Sequence, residues 1–136
     1  MNDHKDIEVL FPDGAREEGT LVISRNEPWK VRIEQPRLGK LQFGGDTLYG
    51  ALTALRRELE SQNCYLLCNG ARRNIIVSGM SRQMSGGRKG YLVSLGKPAS
   101  RNDIVDIFDY AEPSTICSVS DQGNFYKQWV KSLADD

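Results

Sequence analysis

"DTLYGALTALRRELESQN", residues 46–63, is where the period of the chain changes. Leu48, Leu52, Leu55 and Leu59 recur at spacings of 4, 3 and 4, which is one apolar stripe on an α-helix. Asp46 suits the N-cap, Asn63 suits the stop, and Arg56, Arg57, Glu58 and Glu60 fall on the outer side. On the N-terminal side of this helix the period is two. "IEVLF" runs into Pro12-Asp13-Gly14, "TLVIS" into Arg25-Asn26-Glu27-Pro28, and "WKVRIE" puts Trp29, Val31 and Ile33 on one face. "KLQF" adds a short fourth strand before Gly44-Gly45, so the first half reads as an antiparallel meander that ends in a helix.

Beyond the helix the strand signal returns in "YLLC", "NIIVS" and "YLVSL", separated by glycine-bearing loops. A second helix is expected from Ser100. There Ile104, Val105, Ile107, Phe108 and Ala111 recur with near-helical spacing, and Pro113 ends the run. A third fits "SDQGNFYKQWVKSL", with Ser120 as cap and Phe125, Trp129 and Leu133 on one face. The fold class that follows is α+β, a mostly antiparallel β-sheet with about three helices packed on it, with residues 1–136 as a single domain.

Composition narrows the function. No apolar run reaches the length of a membrane helix, and the charged start "MNDHKDIEVL" lacks the core of a signal peptide, so the expected location is the cytoplasm. Cys64, Cys68 and Cys117 match no metal-ligand spacing and read as reduced thiols. The one histidine, His4, lies in a polar N-terminal stretch, which removes Ser-His-Asp and Cys-His catalysis. An enzyme is not expected, nor is a metal or a cofactor.

The net charge of zero conceals a partition. Residues 1–60 carry nine basic and eleven acidic side chains, 61–102 seven basic and none acidic, and 103–136 two basic and seven acidic. Such asymmetry either marks a partner surface or means that the two oppositely charged segments neutralise each other within the fold. The basic segment centres on "CNGARRNIIVSGMSRQMSGGRKG", residues 68–90. It contains neither G-x-x-x-x-G-K-[ST] nor G-x-G-x-x-G, so neither standard phosphate motif is present. Its glycines read as the positive-φ positions of turns, leaving Arg72, Arg73, Arg82, Arg88 and Lys89 as candidate partner contacts. Met80 and Met84 suit an adaptable protein contact or burial under the loop. In the acidic segment Asp103, Asp106 and Asp109 recur at three-residue intervals on the polar side of the expected second helix, and Asp106 and Asp109 join the candidates.

The stretch "YLLCNGARRNIIVSGMSRQMSGGRKGYLVSLGKPASRNDIVDIFDYAEP" together with "VSDQGNFYKQWVKSL" resembles small bacterial immunity proteins of toxin–immunity systems, either contact-dependent growth inhibition or related polymorphic toxins. The resemblance covers residues 65–136. It implies tight binding of a cognate toxin protein that blocks the toxin's active site or substrate surface. Many such proteins are acidic because their toxins are basic nucleases, and the net charge of zero departs from that pattern. The alternative is an RNA- or nucleotide-binding accessory domain that uses the basic 61–102 segment.

Overall fold

The computed structural model describes residues 1–134. Four strands, β1 (Asn2–Leu10), β2 (Arg16–Ser24), β3 (Trp29–Gln35) and β4 (Gly39–Gly45), form the antiparallel meander that the alternating pattern predicts. Helix α1 (Leu48–Glu60) follows, and β5 (Tyr65–Leu66) then returns to pair with β1, giving the sheet order β4-β3-β2-β1-β5. A second sheet holds β6 (Ile75–Ile76), β7 (Lys89–Leu92) and β8 (Ile104–Asp106) in that order. Helix α2 (Gly79–Ser85) lies between β6 and β7, and α3 (Val119–Ala134) closes the described chain. The architecture is α+β.

The core sits where the two periods meet. Val9, Leu21, Ile23, Val31 and Ile33 from one face of the first sheet pack with Leu48, Ala51, Leu52, Leu55 and Leu59 of α1, all essentially without solvent exposure. Each such leucine contributes about 1.5–3 kcal/mol through burial. Ile107 and Phe108, on the loop after β8, enter the same cluster, so the second sheet is fastened to the first through a shared interior. Gly70 sits where this packing is closest. A Cβ built on it would lie 2.4 Å from Leu52 Cδ2 and 3.2 Å from Ile107 O, so a larger residue fits only if the Leu52 side chain gives way.

Three local expectations are corrected. Thr47, not Asp46, caps α1: its backbone is extended and its Oγ1 accepts from the Gly50 N–H at 2.9 Å. Ser118, not Ser120, caps α3, through its Oγ and the Asp121 N–H at 3.0 Å. Leu133, expected on one face with Phe125 and Trp129, is exposed while Trp129 is buried.

The expected helix after Ser100 is the largest departure. Ser100 does accept a bond from Asn102 N–H, but the turn it caps is a single 3-10 turn, Arg101–Asp103. Ile104–Asp106 then pair with β7, opposite Tyr91, Gly90 and Lys89. β-branched residues satisfy a pleated edge as readily as a helix face, and the neighbouring strand decided between them. Asp106 and Asp109 are therefore not on one helix face.

Arg56, expected on the outer side of α1, is 2% exposed. Its Nη1 donates to Gly70 O (3.2 Å) and to Gln122 Oε1 (2.9 Å), and its Nη2 donates to Cys117 O (2.8 Å). Glu60 Oε2 lies 3.4 Å from Nη2, close enough for ion pairing but without hydrogen-bond geometry, while Oε1 accepts from Val119 N–H at 3.1 Å. Gln122 completes the set by accepting from Tyr49 Oη (2.8 Å) and donating to Gly70 O (2.9 Å) and Arg72 O (2.8 Å). This buried polar group joins α1, the 69–72 turn and the first turn of α3; further along α3, Trp129 Nε1 donates to Lys97 O at 2.9 Å and Ser132 Oγ accepts the Gly96 N–H at 2.8 Å.

Candidate partner-binding face

The seven charged residues singled out in the sequence separate into two populations. Arg88 is an internal fastener: its Nε lies 2.9 Å from Asp106 Oδ2, its Nη1 lies 2.7 Å from Asp3 Oδ2, and its guanidinium stands 5.4 Å from the centre of the Phe108 ring. Asp3 also receives Arg25 Nε at 2.6 Å. The hydrogen bonds from Arg25 and then Arg88 hold its carboxyl below the ordinary 3.8. Asp106 Oδ1 accepts the Phe108 N–H at 2.9 Å, and Lys89 Nζ lies 4.0 Å from its other oxygen. Asp109 pairs with Lys5 of β1. Arg88 and Lys89 of the basic segment thus lie beside Asp106 of the acidic one, while Asp109 is matched by Lys5 and Arg88 also by Asp3, which ties β1 to the second sheet.

Arg72, Arg73 and Arg82 differ. Arg72 is partly buried and its Nε donates to Asn74 Oδ1 at 3.3 Å. Arg73 and Arg82 are exposed, and among the described residues neither has a carboxylate within ion-pair distance.

Arg82 belongs to α2, a helix without a buried side chain. Sequence periodicity has no apolar stripe to detect there, so the segment reads as a loop. The local signals were its ends. Ser78 Oγ accepts from the Ser81 N–H at 3.1 Å, and Gly86 closes the helix in the left-handed conformation at φ 64°. Gly86 also fixes where α2 sits. A Cβ there would lie 2.6 Å from the Trp29 ring, and the Gly86 carbonyl accepts the Leu48 N–H at the start of α1. Held in this way, α2 leaves Met80 70% and Met84 81% exposed, four residues apart on one side.

Between α2 and α3, above α1, runs a groove. One cavity of about 350 Å³ is walled by Ile75–Val77, by Val119 and Tyr126 of α3, and by Tyr49 and Thr53 of α1, with Arg57 and Arg82 contributing to its lining. A second, of about 700 Å³, shares Tyr49, Thr53, Arg57 and Arg82 and continues past Phe43 to Asp46 and Glu58. The Tyr49–Gln122 hydrogen bond lies at the junction, and burial pushes the Tyr49 phenol up, so it stays a neutral donor. Arg57 is the residue that sequence reasoning missed. The sequence pattern puts it on the solvated side of α1, and nothing local distinguishes it from any exposed arginine. Like Arg82 it has no carboxylate within ion-pair distance among the described residues. A further cavity is lined by Arg57 together with Glu60 of α1 and Lys127 of α3.

The remaining chemistry is sparse. Cys64, Cys68 and Cys117 are free and buried, and burial pushes the Cys68 thiol up to about 11. Among the described residues no three His, Cys, Asp or Glu side chains are grouped to hold a metal ion. None of their helices is long and apolar enough to cross a membrane.

No protein-family model matches the chain. No curated protein sequence matches it significantly.

Proposed function

We propose that the chain is a cytoplasmic immunity protein that binds a cognate toxin protein through the face formed by α2 and the groove beside it. One observation carries this reading. A short helix is held on the surface with both methionines exposed and an arginine that no carboxylate of the described fold engages. Exposed methionines adapt to the shape of a partner. An arginine left without an internal counter-ion retains its full charge for association and for selecting a partner. Arg88, Lys89, Asp106 and Asp109 belong to the scaffold in this reading, so the contacts are assigned to Arg82, Arg57 and, at the margin, Arg73.

The test is to express the products of the neighbouring reading frames, find one that is toxic to cells, and measure whether this chain forms a stoichiometric complex with it and abolishes its activity. Met84→Asp and Arg82→Glu are each expected to weaken that complex by about tenfold or more. A chain that forms no complex with any neighbouring product, or that binds single-stranded RNA with a steep salt dependence instead, overturns the proposal.

A further inference from the structure

The smaller cavity of the groove has a composition that specifies what enters it. Its walls are aliphatic, from Ile76, Val77 and Val119, and two tyrosines stand with them: Tyr49, engaged with Gln122, and Tyr126, 49% exposed. Among the described residues, its only charged lining side chains are Arg57 and Arg82, and no carboxylate lines it. Burying an apolar group there gains contact with the walls, whereas burying any part of a cation would bring it against two guanidiniums. The occupant therefore has an apolar body with negative charge beside it. The larger cavity extends the same groove along α1, so the occupant is a chain segment that continues out of the pocket and not a compact small molecule. Asp46 and Glu58 line that extension, which confines the preference for negative charge to the inner end.

We infer that this pocket is the anchor site for an acidic segment of the partner, taking one Phe- or Leu-like side chain between carboxylates that pair with Arg57 and Arg82. The inference rests on the protein-binding reading above and narrows it to a partner chemistry. A buried apolar anchor ringed by paired charges is the arrangement in which a few residues carry most of an interface's affinity. It also reverses the usual polarity of acidic inhibitors of basic nucleases: here the basic side belongs to this chain.

The probe is a fluorescein-labelled peptide with one Phe flanked on each side by two Glu, measured by fluorescence anisotropy against the full chain. Saturable binding is expected, with a loss of about tenfold on replacing Phe by Ala in the peptide, and a similar loss for Arg57→Glu or Arg82→Glu in the protein. Arg101→Glu, an exposed reversal on the turn before β8, changes net charge by the same amount and is expected to bind within about twofold of the parent. Circular dichroism confirms that each variant is folded; these arginines are exposed, so the fold is expected to be kept. No saturable binding, an equal loss in Arg101→Glu, or equally tight binding of a peptide with Lys in place of Glu overturns the inference. So does displacement of the peptide by equimolar inorganic phosphate or oligouridylate, which would make the arginines a phosphate site. A toxin that binds the Arg57→Glu and Arg82→Glu chains undiminished sinks the pocket and the contacts assigned to these arginines, and leaves standing only that the chain is an immunity protein. A peptide that binds as described, with no toxic neighbouring product in complex, sinks the immunity reading alone.

Discussion

Truncating Arg56 to Ala removes the centre of the buried group that ties the first turn of α3 to α1. The side chain makes three hydrogen bonds, to Gly70 O, Cys117 O and Gln122 Oε1, and has Glu60 within ion-pair range. The loss is uneven. Gly70 O keeps the Gln122 Nε2 donor and Gln122 Oε1 keeps Tyr49, but Cys117 O loses the one side-chain donor it has in the described structure. An orphaned buried acceptor costs about 1–3 kcal/mol, and breaking a buried ion pair on one side costs about 3–5 kcal/mol in total. The expected loss for Arg56→Ala is therefore about 3–5 kcal/mol, against a domain stability of about 5–15 kcal/mol. Gln122→Ala orphans the Tyr49 hydroxyl and Arg72 O, for an expected loss of about 2–3 kcal/mol. Because the two side chains share partners, the double variant should fall short of the sum by about 1 kcal/mol or more. Urea denaturation of the four proteins measures this, and amide exchange should show α3 as the segment whose protection falls first. A loss below about 1 kcal/mol for Arg56→Ala, or strict additivity of the pair, would refute the claim that this group ties α3 to α1.

Two further outcomes follow from the same geometry. Gly86→Ala combines a left-handed backbone with a Cβ 2.6 Å from the Trp29 ring, so it is expected to cost about 1–3 kcal/mol and to loosen α2; thermal melts and peptide anisotropy on one preparation would show both effects. Asp3 has a carboxyl held below 3.8, so the stability it contributes is fully present above 3.8 and is lost as pH falls below it. Urea midpoints at neutral pH and well below 3.8 should differ less in the Arg25→Ala/Arg88→Ala chain than in the parent, and an unchanged difference would remove the Asp3 cluster from the acid response.

Legibility along the chain tracks how locally each residue's fate is decided. The meander and α1 bury one face against each other, and a face leaves a period: two in the strands, about 3.6 in the helix. Those elements are present where the pattern puts them. α2 buries no side chain and so leaves no period. Only its ends carry a signal, and the sequence pattern puts Ser78 at the end of the strand "NIIVS" and Gly86 in a turn. Residues 104–108 carried a pattern compatible with either element, and the unpaired edge of β7 resolved it.

The charges show the same division. Which residues are basic or acidic, and that they are segregated along the chain, belongs to the sequence alone. So do the absence of a histidine outside the N-terminal strand and the absence of both phosphate motifs, because composition and spacing require no fold. Whether a given charge is spent inside the molecule is a tertiary matter. Arg88 met Asp3, 85 residues away, and Asp106, and so belongs to the scaffold. Arg56 and Arg57 are adjacent on one helix, yet a turn of about 100° per residue buries the first among carbonyls and leaves the second facing the groove. Sequence determined the supply of charge; only the packing of α3 and α2 around α1 decided which cations stayed available to a partner.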